Sequence, residues 1–378
     1  MASEPFRVPR SRAHLTHASM REDITRALDS IVYGDLRGVH DLRDRFEAEF
    51  AAAVGQTHAV GVTSGTVGLF LALKACGIGP GDEVITVGNS DISTTAAVHH
   101  CGAVCVLCDV LESDYTLDTS RVAALISPRT KAILPVDLHG HPADVKALRA
   151  LADAHGLLIV EDAALAVGAH DHGRPVGAFA DAAVFSFAPF KPLGGAGTGA
   201  VVVTSDEAVA ERLRLLVGYG HTPGATGRPV GHQHYIAEGY NVPLDTLQAA
   251  VLLVKLPHLP EWTARRQAIA QAYRRGLADT GVLTPTFRPE SAPTFRSYCV
   301  RAPNQGSLYH QLREAGVEVV LHYTPPAYQH PVYTLPLAGS DRLAVTDQLA
   351  TELICLPVSP ELTDDDIAWT LDVIHAAL

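Results

Sequence analysis

The stretch AAVFSFAPFKPLGGAGTGAVVVT, residues 182–204, holds two short apolar runs, 182–187 and 200–204, separated by a lysine and a group of glycines. Neither run alternates with polar residues, and continuous hydrophobicity over five or six positions marks a strand covered on both faces. The glycines fit a G-x-G-x-x-A pattern through Gly195, Gly197 and Ala200. A dinucleotide fingerprint, however, must follow a strand and open a helix. Here the glycines open a Val-rich strand instead, so that reading fails.

Working outward, further strand-like runs lie at 58–62, 83–87, 103–108, 130–135 and 157–160, with helix-period segments such as 67–76 and 143–155 between them. Buried strands alternating with helices predict an α/β fold with a mostly parallel central sheet sandwiched by helices. Residues 218–240, rich in Gly with His and Pro, read as a long functional loop. A helical stretch at 244–259 leads into a smaller α+β part, with a helix at 269–277, a strand near 297–301 and a helix at 308–315. A closing helix starts at Thr363, an N-cap ahead of three aspartates. The expected division is a large domain, 1–255, with an N-terminal helical segment, and a small C-terminal domain, 256–378.

The 378 residues include 29 basic and 41 acidic side chains, a net charge of −12, with no Lys/Arg run able to track a phosphate backbone. Nucleic acid is therefore not an expected partner. Apolar stretches such as 249–254 fall far short of the ~20 residues that span a bilayer, and the start MASEPFRVPRSRAH has no signal-peptide core. Six cysteines are too sparse for a disulfide framework. These features predict a soluble cytoplasmic protein. The Cys101, Cys105, Cys108 series imitates a cluster-binding spacing, but an odd separation along a strand sends Cys105 and Cys108 to opposite faces. The His-x-His pairs at 139/141 and 232/234 lack a third nearby ligand and read as pocket or loop residues.

Chemistry is expected beyond the carboxyl ends of the strands, where α/β sheets present ligands. Gly65 and Thr66 follow Ser64 into a helix, so their amides either favour a phosphate or simply start a capped helix. Glu161 and Asp162 end an apolar strand and are either solvated or available to a cationic nitrogen or a metal. Lys191, in an apolar, Gly-flanked setting, is placed to lose water and so to favour its neutral amine.

In order, SGT at 64–66, GIGPGDEVI at 77–85, EDAA at 161–164, FSFAPFKPLGGAGTGA at 185–200, GYN at 239–241 and HYTPP at 322–326 form a series. With FEAEFAAAVG near the start and CLPVSPELTDDDI near the end, the series resembles the DegT/DnrJ/StrS family of pyridoxal-phosphate sugar aminotransferases. The resemblance implies a fold-type I enzyme working as a homodimer with shared active sites. It implies Lys191 as the Schiff-base lysine, Asp162 as partner of the pyridine nitrogen, and Ser186, Gly65 and Thr66 as phosphate ligands. Asn241 would reach the phosphate of the neighbouring subunit's cofactor. The implied reaction moves an amino group from glutamate or glutamine, through pyridoxamine phosphate, to a keto-sugar, nucleotide-linked in the leading expectation, or a cyclitol ketone, in amino-sugar or antibiotic biosynthesis. Substrate contacts are expected from Arg228, His322 and Tyr323.

Several positions depart from the family pattern. Asp91 aligns where an aromatic residue usually lies against the cofactor ring. Leu165 stands for a glutamine, Val242-Pro243 for a region that often carries an arginine, and Thr198 for a common acidic residue. These departures leave open altered chemistry on the same fold (epimerisation, elimination or an amino-acid reaction) or a catalytically silent sensor. The retained Lys191 argues against the family's dehydratases, where histidine replaces it.

Overall fold

The computed structural model describes residues 6–34, 36–221, 234–331 and 343–378, and the side chains of all of these except 36–41. Strands β1 (His58–Val62), β2 (Glu83–Val87), β3 (Val104–Cys108), β4 (Thr130–Ile133) and β5 (Leu158–Asp162) come first. The two-residue strands β6 (His170–Asp171) and β7 (Arg174–Pro175) precede β8 (Ala182–Ser186) and β9 (Ala200–Thr204). The C-terminal part adds β10 (Ser291–Ala292), β11 (Tyr298–Arg301) and β12 (Leu353–Leu356). Seven strands form the main sheet in the order β1-β9-β8-β5-β4-β2-β3. From β8 to β3 every pairing is parallel, and β9 alone runs against its neighbours β1 and β8.

Successive side chains on a strand point to opposite faces, and β8 divides accordingly. Ala182 and Val184 enter one core cluster with Val60, Val202 and helix Gly65–Ala75, while Ala183 and Phe185 enter another with Val201, Val203 and residues of helices Leu36–Ala53 and Thr246–Lys255. Both faces are thus covered, which is why the strand runs read as continuously apolar. Helix Gly65–Ala75 lies close on the sheet, since a Cβ on Gly68 would come within 2.8 Å of Val184. Cys105 and Cys108 fall in different clusters, on the opposite faces expected from their spacing, and all six cysteines are free.

Some boundaries differ from the sequence reading. Strand β5 runs to Asp162 rather than stopping at 160, because Asp162 still pairs in register with Val184 of β8. The helix expected at 269–277 spans Leu259–Gly276, with Pro260 in its first turn, where the missing N–H costs nothing. Strand β12 was not expected: helix Ala344–Glu352 passes directly into it with no turn residue between. It pairs antiparallel with β11. The closing helix is Asp364–Ala377, capped reciprocally by Thr363 and Asp366.

A separate core holds the C-terminal elements, and Val8 from the N-terminus is fully buried in it. Val8 bonds Gly316 and Glu318 through the backbone, both at 2.9 Å. Among the described residues, no helix is long and apolar enough to cross a membrane.

Phe50 is fully buried, with its ring 5.3 Å from those of both Phe185 and Phe187. Phe50→Ala should destabilise the fold by about 3–5 kcal/mol, read as a lower denaturant midpoint with an unchanged slope.

Candidate active site

A cavity of about 440 Å³ lies beyond the carboxyl ends of β1, β2, β4, β5 and β8. Of the residues singled out in the sequence, Gly65, Thr66, Asp91, Asp162, Ser186, Lys191, His322 and Tyr323 all line it, as do Leu165 and Thr198. Asn241 does not: it is exposed and lines a different cavity with Arg43, Glu47 and Arg214. Arg228 and His232 lie outside the described residues.

Asp162 ends β5 as a buried carboxylate. Its Oδ2 accepts the Thr94 hydroxyl at 2.8 Å and its Oδ1 accepts the Ala164 amide at 3.2 Å. Since Thr94 spends its proton on Asp162, the Ser90 hydroxyl, 2.7 Å away, donates to Thr94. Burial raises the Asp162 pKa, opposed by the Thr94 bond and the charge of Lys191. A desolvated carboxylate of this kind gains from a nearby cation. Its neighbour Glu161 points the other way along the strand, accepts the Gly177 amide at 3.0 Å and sits against Asp137. Burial pushes Glu161 up to about 7. Of the two carboxylates that end β5, only Asp162 therefore faces the cavity.

Lys191 lies five residues past the end of β8, its backbone amide bonded to Ala188 O at 2.8 Å. No described residue bonds its Nζ. Burial lowers its pKa to about 8, and the charge of Arg296 presses in the same direction, against Asp162 and Asp91. Lys255 is also lowered to about 8 by burial, but its Nζ is engaged by Gly194 O and by His17 Nε2 at 3.0 Å. Of the two, Lys191 is the amine left available to a ligand.

At the opposite wall, Ser64 caps helix Gly65–Ala75 by accepting the Val67 amide at 3.3 Å. A Cβ on Gly65 would lie 3.3 Å from Ser186 Cβ, a tight contact that glycine avoids where this helix end meets β8. Unpaired first-turn amides beside a serine hydroxyl make an anion cradle. Asp91 spends its carboxylate on the Ser93 amide (3.0 Å) and hydroxyl (2.8 Å), capping helix Ile92–His100. The aromatic rings that line the cavity are instead His139, Phe190, His322 and Tyr323. The rings of His139 and Tyr323 are near-parallel, with centroids 6.5 Å apart, and His139 is held at φ 62°. Sequence reasoning missed Arg10, Thr94 and Arg296 at this site; none carries a local motif, and only the fold brings them in.

A mostly parallel sheet with a lysine beyond one strand, a carboxylate at the end of the next and a helix N-terminus facing both defines a fold-type I aminotransferase. The chain belongs to the DegT/DnrJ/EryC1/StrS aminotransferase family, which it matches over residues 18–375. It is 42% identical over 361 residues to the erythromycin biosynthesis sensory transduction protein EryC1 of Saccharopolyspora erythraea, covering 94% of this chain and 95% of that one. It is also 42% identical over 331 residues to the dTDP-3-amino-3,4,6-trideoxy-alpha-D-glucose transaminase of Streptomyces venezuelae, covering 87% and 85% of the two chains. The crystal structure of S. venezuelae DesV in complex with a ketimine intermediate superposes with a TM-score of 0.90 at 39% identity, covering 98% of each chain. The family and fold depend on pyridoxal phosphate. The donor set here fits that group: an anion cradle at one end, a buried carboxylate in want of a cation, and an unbonded amine.

The free amine of Lys191 exists above its pKa and the unreactive ammonium below it. Capture of the cofactor by the apoprotein should therefore quicken with pH up to about 8 and level off above it. Asp162→Asn removes a charge that holds the proton on Lys191, so the profile should move to lower pH; an unmoved profile would separate the two side chains electrostatically.

Proposed function

We propose that this chain binds pyridoxal 5'-phosphate and transfers an amino group from glutamate or glutamine to a nucleotide-linked keto-sugar or to a cyclitol ketone, in amino-sugar or antibiotic biosynthesis. The observation that carries the reading is the convergence of Lys191, Asp162 and the Gly65/Thr66/Ser186 cradle on one cavity. The substrate named for the S. venezuelae transaminase supports the sugar assignment.

When bound, the cofactor supplies an aldehyde that captures amines and a ring that accepts electrons. Gly65, Thr66 and Ser186 hold its phosphate. Asp162 keeps a proton on the ring nitrogen, and the Ser90–Thr94 relay fixes the orientation of that carboxylate. Lys191 would bond the cofactor's aldehyde and, with its amine free, would be the base that takes a proton from the substrate carbon. Its pKa, lowered to about 8, leaves roughly a tenth of it neutral at pH 7, a few hundred times the neutral share of an unshifted lysine. His322 and Tyr323 line the substrate side. Arg228 is a candidate from the 218–240 loop.

The working unit in this reading is a cytoplasmic homodimer. Asn241 is exposed, and Tyr219, Tyr235, Ile236 and Tyr240 near it also expose their side chains, as an interface would require. A second subunit packed there would bring Asn241 to the cofactor phosphate of its neighbour. In this reading residues 1–255 form the cofactor domain and 256–378 the small one, to whose core Val8 is fastened.

Excess glutamate should convert the visible absorbance of the lysine-bonded cofactor to the ultraviolet band of the amine form, and a keto-sugar nucleotide should reverse it. A visible band that no amino acid shifts would sink the transaminase reading in favour of a silent sensor. Lys191→Ala should lower turnover by roughly 100- to 10,000-fold while the cofactor is still retained through its phosphate; retained turnover would remove Lys191 from the chemistry.

A further inference from the structure

Cys299 of β11 and Cys355 of β12 face each other across an antiparallel pair. Both are buried, and their Sγ atoms lie 2.6 Å apart. The backbone groups of Cys355 turn away from β11: its N–H donates to Val320 O at 2.9 Å, and its carbonyl accepts the Val320 N–H at 3.4 Å. The two cysteines are therefore a non-hydrogen-bonded pair, the kind in which facing Cα atoms approach to about 4.5 Å. That separation lies within the span a disulfide bridges.

The pair stands behind the wall of the main cavity, which His139 and His322 line. Donor atoms of His139 and of both thiols fall within 4.8 Å of one another, and His139 Nε2 is buried with no hydrogen-bond partner. Burial works against an ionised Cys355, but the Cys299 thiol and the ring and backbone of His322 outweigh it. Burial raises Cys299, and Cys355 beside it adds to the rise. Of the two, Cys355 is thus the more acidic, and the proton between them sits on Cys299. The other cysteines are differently placed. Burial pushes Cys76, Cys105 and Cys108 up to about 12 and Cys101 up to about 11, and the thiols of Cys101, Cys105 and Cys108 donate to backbone carbonyls. The thiolate is the form that reacts.

Two thiols and an imidazole are also the donors of a soft metal ion. Thiolates sharing a tetrahedral metal, however, stand about 3.8 Å apart, well beyond the separation here. The close approach of Cys299 and Cys355 matches a sulfur–sulfur bond better.

We propose that Cys299 and Cys355 are an oxidisable dithiol, closed to a disulfide by hydrogen peroxide that enters through the main cavity, and that the reduced pair anchors His322 at the cavity wall. The Cys355 thiolate attacks one peroxide oxygen and the O–O bond breaks, leaving a sulfenic acid on Cys355 and a hydroxide that takes up a proton to become water. The Cys299 thiol then attacks that sulfur. The S–S bond forms, the S–O bond breaks, and the oxygen leaves as a second water with the thiol proton. Two thiols are oxidised by two electrons and one peroxide is reduced. The disulfide offers no thiolate to His322, so the redox state of the pair reaches the cavity.

The test treats the cofactor-loaded protein with hydrogen peroxide, blocks remaining thiols in denaturant and maps the peptides by mass. One linked pair, Cys299–Cys355, should appear and should be reopened by dithiothreitol. Cys299→Ser should leave a sulfenic acid on Cys355 that dimedone traps, and Cys355→Ser should leave Cys299 unmodified. In the oxidised wild type, diethyl pyrocarbonate should modify His322 about twofold faster or more than in the reduced protein, as loss of one hydrogen bond implies. Thiols that both stay free, a linked pair formed elsewhere, bound zinc whose removal exposes both thiols, or an unchanged rate at His322 on closure would each overturn the proposal. The readout needs no turnover, so it stands apart from the spectral conversion that tests transamination.

Discussion

Strand β5 lies beside β8 in parallel register, with Asp162 opposite Val184, and the site is built around that pairing. It sets the last residue of one strand two positions before the end of the next, so that the carboxylate of Asp162 and the loop carrying Lys191 open into the same space. Burial then acts on the two groups in opposite senses, raising the carboxylate and lowering the amine. Both shifts arise from lost hydration, and both are relieved by a ligand that brings a cationic ring nitrogen to one and an electrophilic carbon to the other.

The remaining pieces of the cavity are arranged with respect to this pair. Gly68 lets helix Gly65–Ala75 lie close on the sheet, and Gly65 leaves its N-terminus open beside Ser186. Thr94 locks the Asp162 carboxylate from the next helix. The C-terminal core supplies the fourth wall, with His322 and Tyr323 from one segment and Arg296 from another. The net charge of −12 does not describe the cavity itself, which Arg10, Lys191 and Arg296 line. The EryC1 relative, described as a sensory transduction protein, and the transaminase from S. venezuelae stand at the same identity to this chain. What distinguishes those readings here is chemistry, since a pure sensor has no use for a desolvated lysine with an unbonded amine beside a locked carboxylate.

Much of this architecture is legible in the amino-acid sequence. Strands such as His58–Val62, Glu83–Val87 and Ala200–Thr204 announce themselves because burial on both faces removes polar residues from the run. Lys191, Asp162 and the Gly65 helix start are legible because each lies at the end of a strand or within five residues of one. Strand Leu353–Leu356 is not, since it continues a helix without a turn. Arg10 and Arg296 are not either, being far apart in sequence and brought together only by the packing of Val8 against the C-terminal core. Asp91 can be seen as a departure from an aromatic residue, but its role as a helix cap depends on backbone direction, which no residue pattern there reveals.

The central claim is that Lys191, and not the equally shifted Lys255, bonds the cofactor. Borohydride reduction of the cofactor-loaded protein, with mass mapping of its peptides, tests this most directly. The account predicts one reduced pyridoxyl adduct, on Lys191; an adduct on Lys255, or none on any lysine, would contradict it.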